Sequence, residues 1–300
     1  PWNSPQAFQV GRNSTLSEYD FIGRMSDIRF WTDRALTASD ISALRLEKSL
    51  VAKYTLNTDA SDSAGDIDGS VSGATFANNH ITFDGQNDFV SIPHDASHGF
   101  DGTKTTMSAW IRTTSTSGDV FILKGYGSGN DIMYMSINGD GNPNKCMLRW
   151  RNQSAQNDTI VYSTTSVNDG SWHHCLGVRD GGDILLYIDG ALEASASGAT
   201  GTFSPTEPIY LGKWDHPSHA AGYFYEGDMG DVRVWKRALS ATDAAALHTA
   251  GAEIPITLTT NLIGKSFKLI ILSFTMFVKI TSAVGIKNFL PEPFSSLISN

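Results

Sequence analysis

Alternation of apolar and polar residues dominates the chain between residues 51 and 211. Short runs with a period of two recur there, as expected for strands whose successive side chains point to opposite faces. The runs cover residues 51–56, 80–83, 89–92, 107–112, 119–123, 133–137, 146–150, 159–163, 172–178, 184–188 and 209–211. Turn residues separate them, and Asp189-Gly190 favours a two-residue hairpin turn. Many short strands with almost no helix predict an all-β fold, an antiparallel β-sandwich of the jelly-roll type.

A repeated segment sets the predicted domain boundaries. Residues 23–31, G-R-M-S-D-I-R-F-W, match residues 227–235, G-D-M-G-D-V-R-V-W, at Gly, Met, Asp, Arg and Trp, and both continue into Arg-Ala-Leu. The repeating unit is roughly two hundred residues long, which indicates tandem domains rather than the short repeats of a solenoid. We predict that residues 1–46 are the C-terminal remnant of a first copy, preserved from residue 8 to about residue 44. Residues 47–251 then form a complete copy, and residues 252–300 are a hydrophobic tail.

Each copy is predicted to end in a strand followed by a short helix. Thr37 with Asp40, and Ser240 with Asp243, have the spacing of a capping box at the start of that helix. The first copy lacks its earlier strands, so its strand edges would be unpaired. We therefore expect the leading segment to be either disordered or docked on its neighbour.

The charge of the chain excludes one class of partner. The formal net charge is −9, and the acidic residues are spread through turns rather than gathered into a run. Nucleic acid is not an expected partner, because phosphate binding relies on clustered Lys and Arg. Asp and Asn in loops supply the oxygen ligands that calcium prefers, although the same acidity can serve solubility alone.

Two cysteines, Cys146 and Cys175, are too few for a disulfide-stapled mini-domain. In an oxidising compartment they could pair as a disulfide. Both lie in apolar, strand-like runs, however, and that context favours buried free thiols.

The tail at residues 252–300 departs from the rest of the chain in composition. It loses its Asp residues and becomes largely apolar, interrupted by Lys265, Lys268 and Lys279. About ten residues in a row are uncharged, whereas a helix needs about twenty to span a bilayer. A membrane anchor and a gene-model artefact both stay open, so membrane association is undecided.

Five motifs occur in a characteristic order. They are F-D-G-Q-N-D-F-V-S-I-P at 83–93, S-A-W-I-R at 108–112, D-G-S-W-H-H-C-L-G-V at 169–178, Y-I-D-G-A at 187–191 and G-D-V-R-V-W at 230–235. Together they resemble the laminin-G-like, concanavalin A-like jelly-roll family. The resemblance implies a secreted or cell-surface module. Cys175 stands where that family usually has valine, and the tail has no counterpart in it.

The resemblance also implies a structural calcium ion. In related jelly rolls the closing-strand Asp and backbone carbonyls near the early D-G element hold the ion, which implicates Asp231 and Gly85. Asp62, in an Asp-rich loop, is a further candidate because calcium takes six to eight hard oxygens. The alternative is that Asp231 pairs with Arg233 or accepts backbone hydrogen bonds.

An aromatic segment at residues 213–225 suggests a sugar-binding face. Trp214 or Tyr223 could stack on a pyranose ring, while Asp215 and His216 hydrogen-bond its hydroxyl groups. Tyr126 is expected at the same rim. The alternative is that these rings cap the edge of the sandwich.

The sequence does not favour catalysis. Glucan-cleaving relatives carry closely spaced carboxylates on one strand, and Glu226-Gly-Asp228 lacks the third carboxylate of that pattern. His173 and His174 are strand neighbours, so they point to opposite faces and cannot grip one ion. We expect a non-catalytic module that recognises a glycan or an extracellular protein. A structural spacer without a tight ligand, or an accessory domain of a larger secreted hydrolase, are the alternatives.

Overall fold

The computed structural model describes residues 35–36, 38–98, 100, 102–125, 131–152, 156–201, 203, 205–214 and 223–251. Within these residues lie the helices α1 (Ala38–Glu47) and α2 (Ala241–Ala250). The strands are β1 (Leu50–Tyr54), β2 (Ser70–Ser72), β3 (Thr75–Ala77), β4 (His80–Asp84), β5 (Phe89–Ile92), β6 (Lys104–Arg112), β7 (Val120–Gly125), β8 (Ile132–Ile137), β9 (Lys145–Asn152), β10 (Asn157–Ser166), β11 (Trp172–Asp180), β12 (Asp183–Ile188), β13 (Ala191–Ser197), β14 (Ile209–Leu211) and β15 (Glu226–Trp235). The predicted tail, and the first copy up to residue 34, lie outside the described residues.

The strands form two antiparallel sheets, which confirms the predicted all-β sandwich. The described part of the first sheet has the order β13-β12-β11-β6-β15-β4-β3, with β1 also paired to β15. The second sheet has the order β10-β9-β8-β7-β14-β5-β2. Neighbours in each sheet are often far apart in sequence, as in a jelly roll. The closing strand β15, for example, lies between β6 and β4.

The core lies between the two sheets and comes from alternate positions of their strands. Ile111, Val232 and Val234 of the first sheet are fully buried in one cluster with Trp150 of the second. Each such side chain contributes about 1.5–3 kcal/mol by leaving water. Trp235 follows Val234 and points to the opposite face, as the strand alternation requires.

Helices α1 and α2 lie against the outer face of the first sheet. A second apolar cluster joins them to that sheet, formed by Leu46, Leu176, Val178, Tyr187, Trp235, Leu239, Ala244 and Leu247. The capping box of α2 is confirmed, because Asp243 N donates to Ser240 Oγ (3.3 Å) and Ser240 N donates to Asp243 Oδ2 (2.9 Å). Thr37, its predicted counterpart before α1, lies outside the described residues. Neither helix is long and apolar enough to cross a membrane.

The hairpin turn predicted at Asp189-Gly190 joins β12 to β13. Asp189 has φ 51° and Gly190 has φ 81°, the left-handed values that a type I′ turn requires at both central positions.

The two cysteines face each other across the core as buried free thiols. Cys146 lies on β9 and Cys175 on β11. Burial raises the pKa of the Cys175 thiol, and the neighbouring Cys146 thiol adds to that effect. Of the two sequence-based alternatives, the structure has the free thiols.

Candidate functional site

A cavity of about 410 Å³ opens on the outer face of the second sheet, and we call it the outer-face cavity. Its volume falls within the range of about 300–1,000 Å³ that is usual for small-molecule sites. Strands β8 and β9 supply its floor through Tyr134 and Arg149. Trp214 and Tyr223, at the two ends of the segment between β14 and β15, form one wall.

The wall of the outer-face cavity is aromatic. The rings of Tyr134 and Trp214 meet edge to face, with centroids 4.7 Å apart. Trp214 N donates a hydrogen bond to Tyr223 O (3.2 Å), which fixes the two residues relative to each other. Tyr223 is 47% exposed at the mouth of the cavity. The structure therefore brings together two of the residues that the sequence predicted for sugar binding.

The floor of the outer-face cavity holds an ionic network centred on Arg149. Its Nε donates to Asp158 Oδ1 (2.7 Å), and its Nη2 donates to Asp158 Oδ2, which makes a bidentate pair. Arg149 Nη1 also donates to the Tyr134 hydroxyl (3.4 Å) and lies 3.8 Å from Asp140 Oδ2. The Tyr162 hydroxyl donates to the same Asp140 oxygen (3.4 Å). One guanidinium thus holds two carboxylates and a tyrosine in place.

The protonation states of this network are set by its contacts. The hydrogen bonds with Asp158 raise the pKa of Arg149, so the guanidinium stays charged. Burial raises the pKa of Tyr134, and burial together with Asp140 raises that of Tyr162. Both phenols therefore stay neutral and keep their hydroxyl protons for hydrogen bonding at ordinary pH.

Three predicted sugar-binding residues, Asp215, His216 and Tyr126, lie outside the described residues. The described ends of the segment that contains Tyr126 are Gly125 and Asp131. In the register of β7 with β14, Lys124 pairs with Ile209 and Ile122 pairs with Leu211. Gly125 is therefore at the end of β7 opposite to the one that Trp214 follows. The placement of Tyr126 at the rim beside Trp214 stays a prediction.

The sequence motifs did not reveal Tyr134, Asp140 and Arg149 as cavity residues. The signal was weak but present, since Met147, Arg149 and Arg151 alternate with core residues along β9 and all line the cavity. The two arginines mark a polar part of this outer sheet face, beside Met147, which is buried in an apolar cluster.

The predicted calcium ligand Asp231 lies at a bulge in β15. It has φ 45°, and the register of β15 with β6 shifts between Gly230 and Arg233. Its carboxylate accepts two hydrogen bonds from Arg233, at 2.6 Å from Nε and 2.5 Å from Nη2. This is the pairing considered as the alternative to calcium.

The other two predicted calcium ligands, Gly85 and Asp62, have contacts of their own. Gly85 lies beside Glu226, five residues before Asp231 on β15, or roughly 16 Å along an extended strand. Asp62 Oδ1 accepts hydrogen bonds from Lys53 N, Ala64 N and Gly65 N at 2.9–3.0 Å, while its Oδ2 is buried without a partner. Across the described residues no group of three or more His, Cys, Asp or Glu side chains could hold a metal ion. Calcium binding stays a prediction from the resemblance.

Asp228 belongs to the Glu226-Gly-Asp228 segment, which most resembles the carboxylate pattern of glucan-cleaving enzymes. Its contacts are structural. Arg112 donates to its Oδ2 from Nε (2.8 Å) and Nη2 (2.6 Å), and Thr82 donates to its Oδ1 (2.7 Å). His80 Nε2 lies 3.2 Å from the same Oδ1. Asp228 therefore joins β15 to β4 and β6.

His173 and His174 point to opposite faces of β11, as predicted. The ring of His173 lies between Asp189 (2.8 Å) and Asp169 (3.2 Å). The ring of His174 packs on Trp110 with centroids 5.3 Å apart. Each imidazole is thus bound within the domain on its own side of the sheet.

Comparison with known proteins gives a family and a fold. A family model described as the concanavalin A-like lectin/glucanases superfamily matches residues 84–245. A search of curated proteins finds no match to this sequence. Among solved structures, domain 4 of AbnA, a GH43 extracellular arabinanase from Geobacillus stearothermophilus in complex with arabinotriose, superposes with a TM-score of 0.54 at 18% identity. That match covers 66% of this chain and 97% of the arabinanase domain.

Two toxin structures are similar over part of their length. The binding domain of Paraclostridial mosquitocidal protein 1 superposes with a TM-score of 0.55 at 15% identity, covering 68% of this chain and 53% of that one. A botulinum neurotoxin type C structure, described as entering cells through two ganglioside molecules, has a TM-score of 0.56 at 12% identity and coverages of 69% and 52%. The chain thus spans about half of each toxin structure. At these identities the likeness shows a shared fold.

Proposed function

Because the chain belongs to the concanavalin A-like lectin/glucanases superfamily, we propose that residues 47–251 form a non-catalytic module that binds a glycan in the outer-face cavity. The module would act outside the cell or on its surface. The observation that carries the proposal is the pairing of an aromatic wall with a fixed ionic floor in one open cavity of about 410 Å³.

The chemistry of the cavity suits a sugar. A pyranose or furanose ring has an apolar face that stacks on aromatic rings, and Tyr223 and Trp214 offer such rings. Its hydroxyl groups need donors and acceptors at fixed positions, which the contacts among Arg149, Asp140 and the Tyr134 hydroxyl supply. Since Arg149 is balanced by Asp158 and Asp140, this floor offers hydrogen bonds rather than a large net charge.

The same network argues against hydrolysis. A glycosidase places the scissile bond between an acid and a second carboxylate. Here the guanidinium of Arg149 lies between Asp140 and Asp158 and contacts both. The arabinanase domain supports the binding alternative, since it was solved with arabinotriose and matches over 97% of its length.

A glycan array with the full chain, followed by calorimetry on the best ligand, tests the proposal. We expect Trp214→Ala to weaken binding by at least about tenfold, because truncating a central aromatic side chain commonly costs about 2 kcal/mol. Trp172→Ala is the matched control, because Trp172 stacks on Arg112 in the first sheet, away from the cavity. Its affinity should equal that of the unchanged chain, with circular dichroism confirming that both variants fold.

Two results would contradict the proposal. A folded chain that binds nothing on the array would favour a structural spacer module. Binding that Trp172→Ala and Trp214→Ala weaken equally would place the ligand elsewhere. Binding restricted to one insoluble polysaccharide would instead agree with an accessory domain of a larger secreted hydrolase.

A further inference from the structure

The C-terminal end of α1 is held by hydrogen bonds from the last residue of β15 and from the segment that follows it. Trp235 Nε1 donates to Leu46 O (2.8 Å) in a buried contact. Arg237 donates from Nη2 to Arg45 O (3.2 Å) and from Nε to Lys48 O (3.3 Å). These carbonyls are among those that the last turn of a helix leaves without intrahelical partners. The contacts therefore recognise a helix end rather than a particular side chain.

Apolar packing and an ion pair complete the contact. The side chain of Leu46 belongs to the buried cluster of Trp235, Leu239 and Leu247. Asp243, at the start of α2, accepts a hydrogen bond from Arg237 Nη1 (2.9 Å), and its Oδ1 lies 3.4 Å from Arg45 Nε. Asp243 thus orients the guanidinium that binds the α1 carbonyls. We call Trp235, Arg237 and Asp243 the helix-end receptor.

In the predicted domain organisation, the helix and its receptor belong to different copies of the repeat. There α1 is the closing helix of the first copy, whereas the receptor lies in the closing segment of the second. We propose that the helix-end receptor is a joint between tandem copies: each complete copy holds the C-terminal end of the closing helix of the copy before it. Neighbouring copies would then be connected rigidly rather than by a flexible linker.

The sequences of the two closing helices indicate which of them the helix-end receptor binds. Counted from the capping boxes, the position of Leu46 in α1 corresponds to Thr249 in α2. The Thr249 hydroxyl donates to Ala245 O of its own helix (2.8 Å). The receptor therefore fits a helix end that carries a leucine, and α2 does not offer one. Trp31, Arg34 and Asp40 repeat the receptor residues in the first copy, outside the part of the chain whose side chains are described.

Limited trypsin digestion of the full chain tests the joint directly. Trypsin cleaves after Arg45 and Lys48, and the carbonyls of those two residues are the ones that Arg237 binds. We expect both bonds to be protected in the unchanged chain. Arg237→Gln should raise the cleavage rate at both by at least about tenfold, because cleavage follows the population of the open form. Lys236→Gln is the control, since it removes a charge of the same sign from an exposed neighbour.

A second pair of variants tests the helix side and avoids any change in the receptor. Leu46→Thr gives α1 the residue that α2 has at this position, and it should expose the same two bonds. Ile41→Thr is the control, because Ile41 is on the same helix and 57% exposed. Near-ultraviolet circular dichroism should show that the sandwich stays folded in all four variants.

The proposal fails if the unchanged chain is cleaved after Arg45 and Lys48 as fast as a urea-denatured chain. It also fails if neither Arg237→Gln nor Leu46→Thr speeds cleavage relative to its control. If Arg237→Gln unfolds the whole domain, the comparison of Leu46→Thr with Ile41→Thr still decides the question.

Discussion

The two sheets share one core, but their outer faces differ. On the first sheet, α1 and α2 cover a cluster in which Trp235 is fully buried and its indole N–H is bonded to Leu46 O. On the second sheet the described residues place no helix on the corresponding face, where Leu123, Ile132 and Met147 are buried in an apolar cluster and Tyr223 at the cavity is 47% exposed. One outer face is thus covered by helices, whereas the other carries the outer-face cavity.

The outer positions of the strands explain this difference. On β11 these positions hold Leu176 and Val178, which need an apolar cover. On β9 they hold Arg149 and Arg151, which do not, together with Met147, which is buried in a separate apolar cluster. The residues at every second position therefore distinguish the face that carries the helices from the part of β9 that lines the cavity.

The largest expected effect comes from replacing one tryptophan on each outer face of the sandwich with alanine. Trp235→Ala should lower the free energy of unfolding by about 3–5 kcal/mol, because it leaves a cavity in the covered cluster and removes the bond to Leu46 O. Trp214→Ala should lower it by less, about 1–2 kcal/mol, since Trp214 is half-buried and packs on Tyr134 at the edge of its cluster. Urea denaturation of the two variants measures both values. Equal losses of stability would mean that the two faces are not used differently.

Alternation and turn chemistry were enough to predict most of the first sheet. Strands β6, β11 and β12 contain short apolar-rich runs bounded by turn residues, and the Asp189-Gly190 turn fixes the β12–β13 hairpin. Strands β2 and β3 were missed because each has three residues with exposed or half-buried side chains, which leaves no hydrophobic signal.

The candidate site was predicted only in part, for a physical reason. Trp214 and Tyr223 are close in sequence to each other, so an aromatic-rich segment revealed them. Asp140, Arg149 and Asp158 come from different strands and hairpins and meet only through the register of β8, β9 and β10. The register of these successive hairpins depends on turn geometry and loop length, which the alternation within each strand does not reveal.

The next largest expected effect is on how the stability of the domain depends on pH, through a histidine on the helix-covered face. Burial lowers the pKa of His174 to about 4, so its ring is neutral where it packs on Trp110. As pH falls below about 6.5, the unfolded chain takes up a proton that the folded chain does not. Stability should therefore be lost between about pH 6.5 and pH 4, with a full difference on the order of 3 kcal/mol.

His173 should have the opposite effect. The hydrogen bond with Asp189, helped by Asp169, raises its pKa despite burial. Its contribution to stability is fully present below about pH 6.5 and is lost as pH rises through the folded-state pKa. Urea denaturation across this range should show that His174→Phe removes the loss at low pH, while His173→Gln removes the gain. Parallel curves for both variants and the unchanged chain would rule out this assignment.

The smallest expected effect measures how closely α2 covers the first sheet. Gly190 has φ 81°, and a Cβ there would lie 2.9 Å from Ala245 Cα and 3.1 Å from His248 Cβ of α2. Gly181 has φ 65° in the neighbouring hairpin, with nothing within 4 Å of such a Cβ. Both Gly→Ala variants bear the cost of a left-handed backbone, about 1–2 kcal/mol. Only Gly190→Ala must also displace the helix, so it should lose about 1–3 kcal/mol more in thermal or urea unfolding. Equal losses of stability for the two variants would show that α2 does not pack closely against the β12–β13 hairpin.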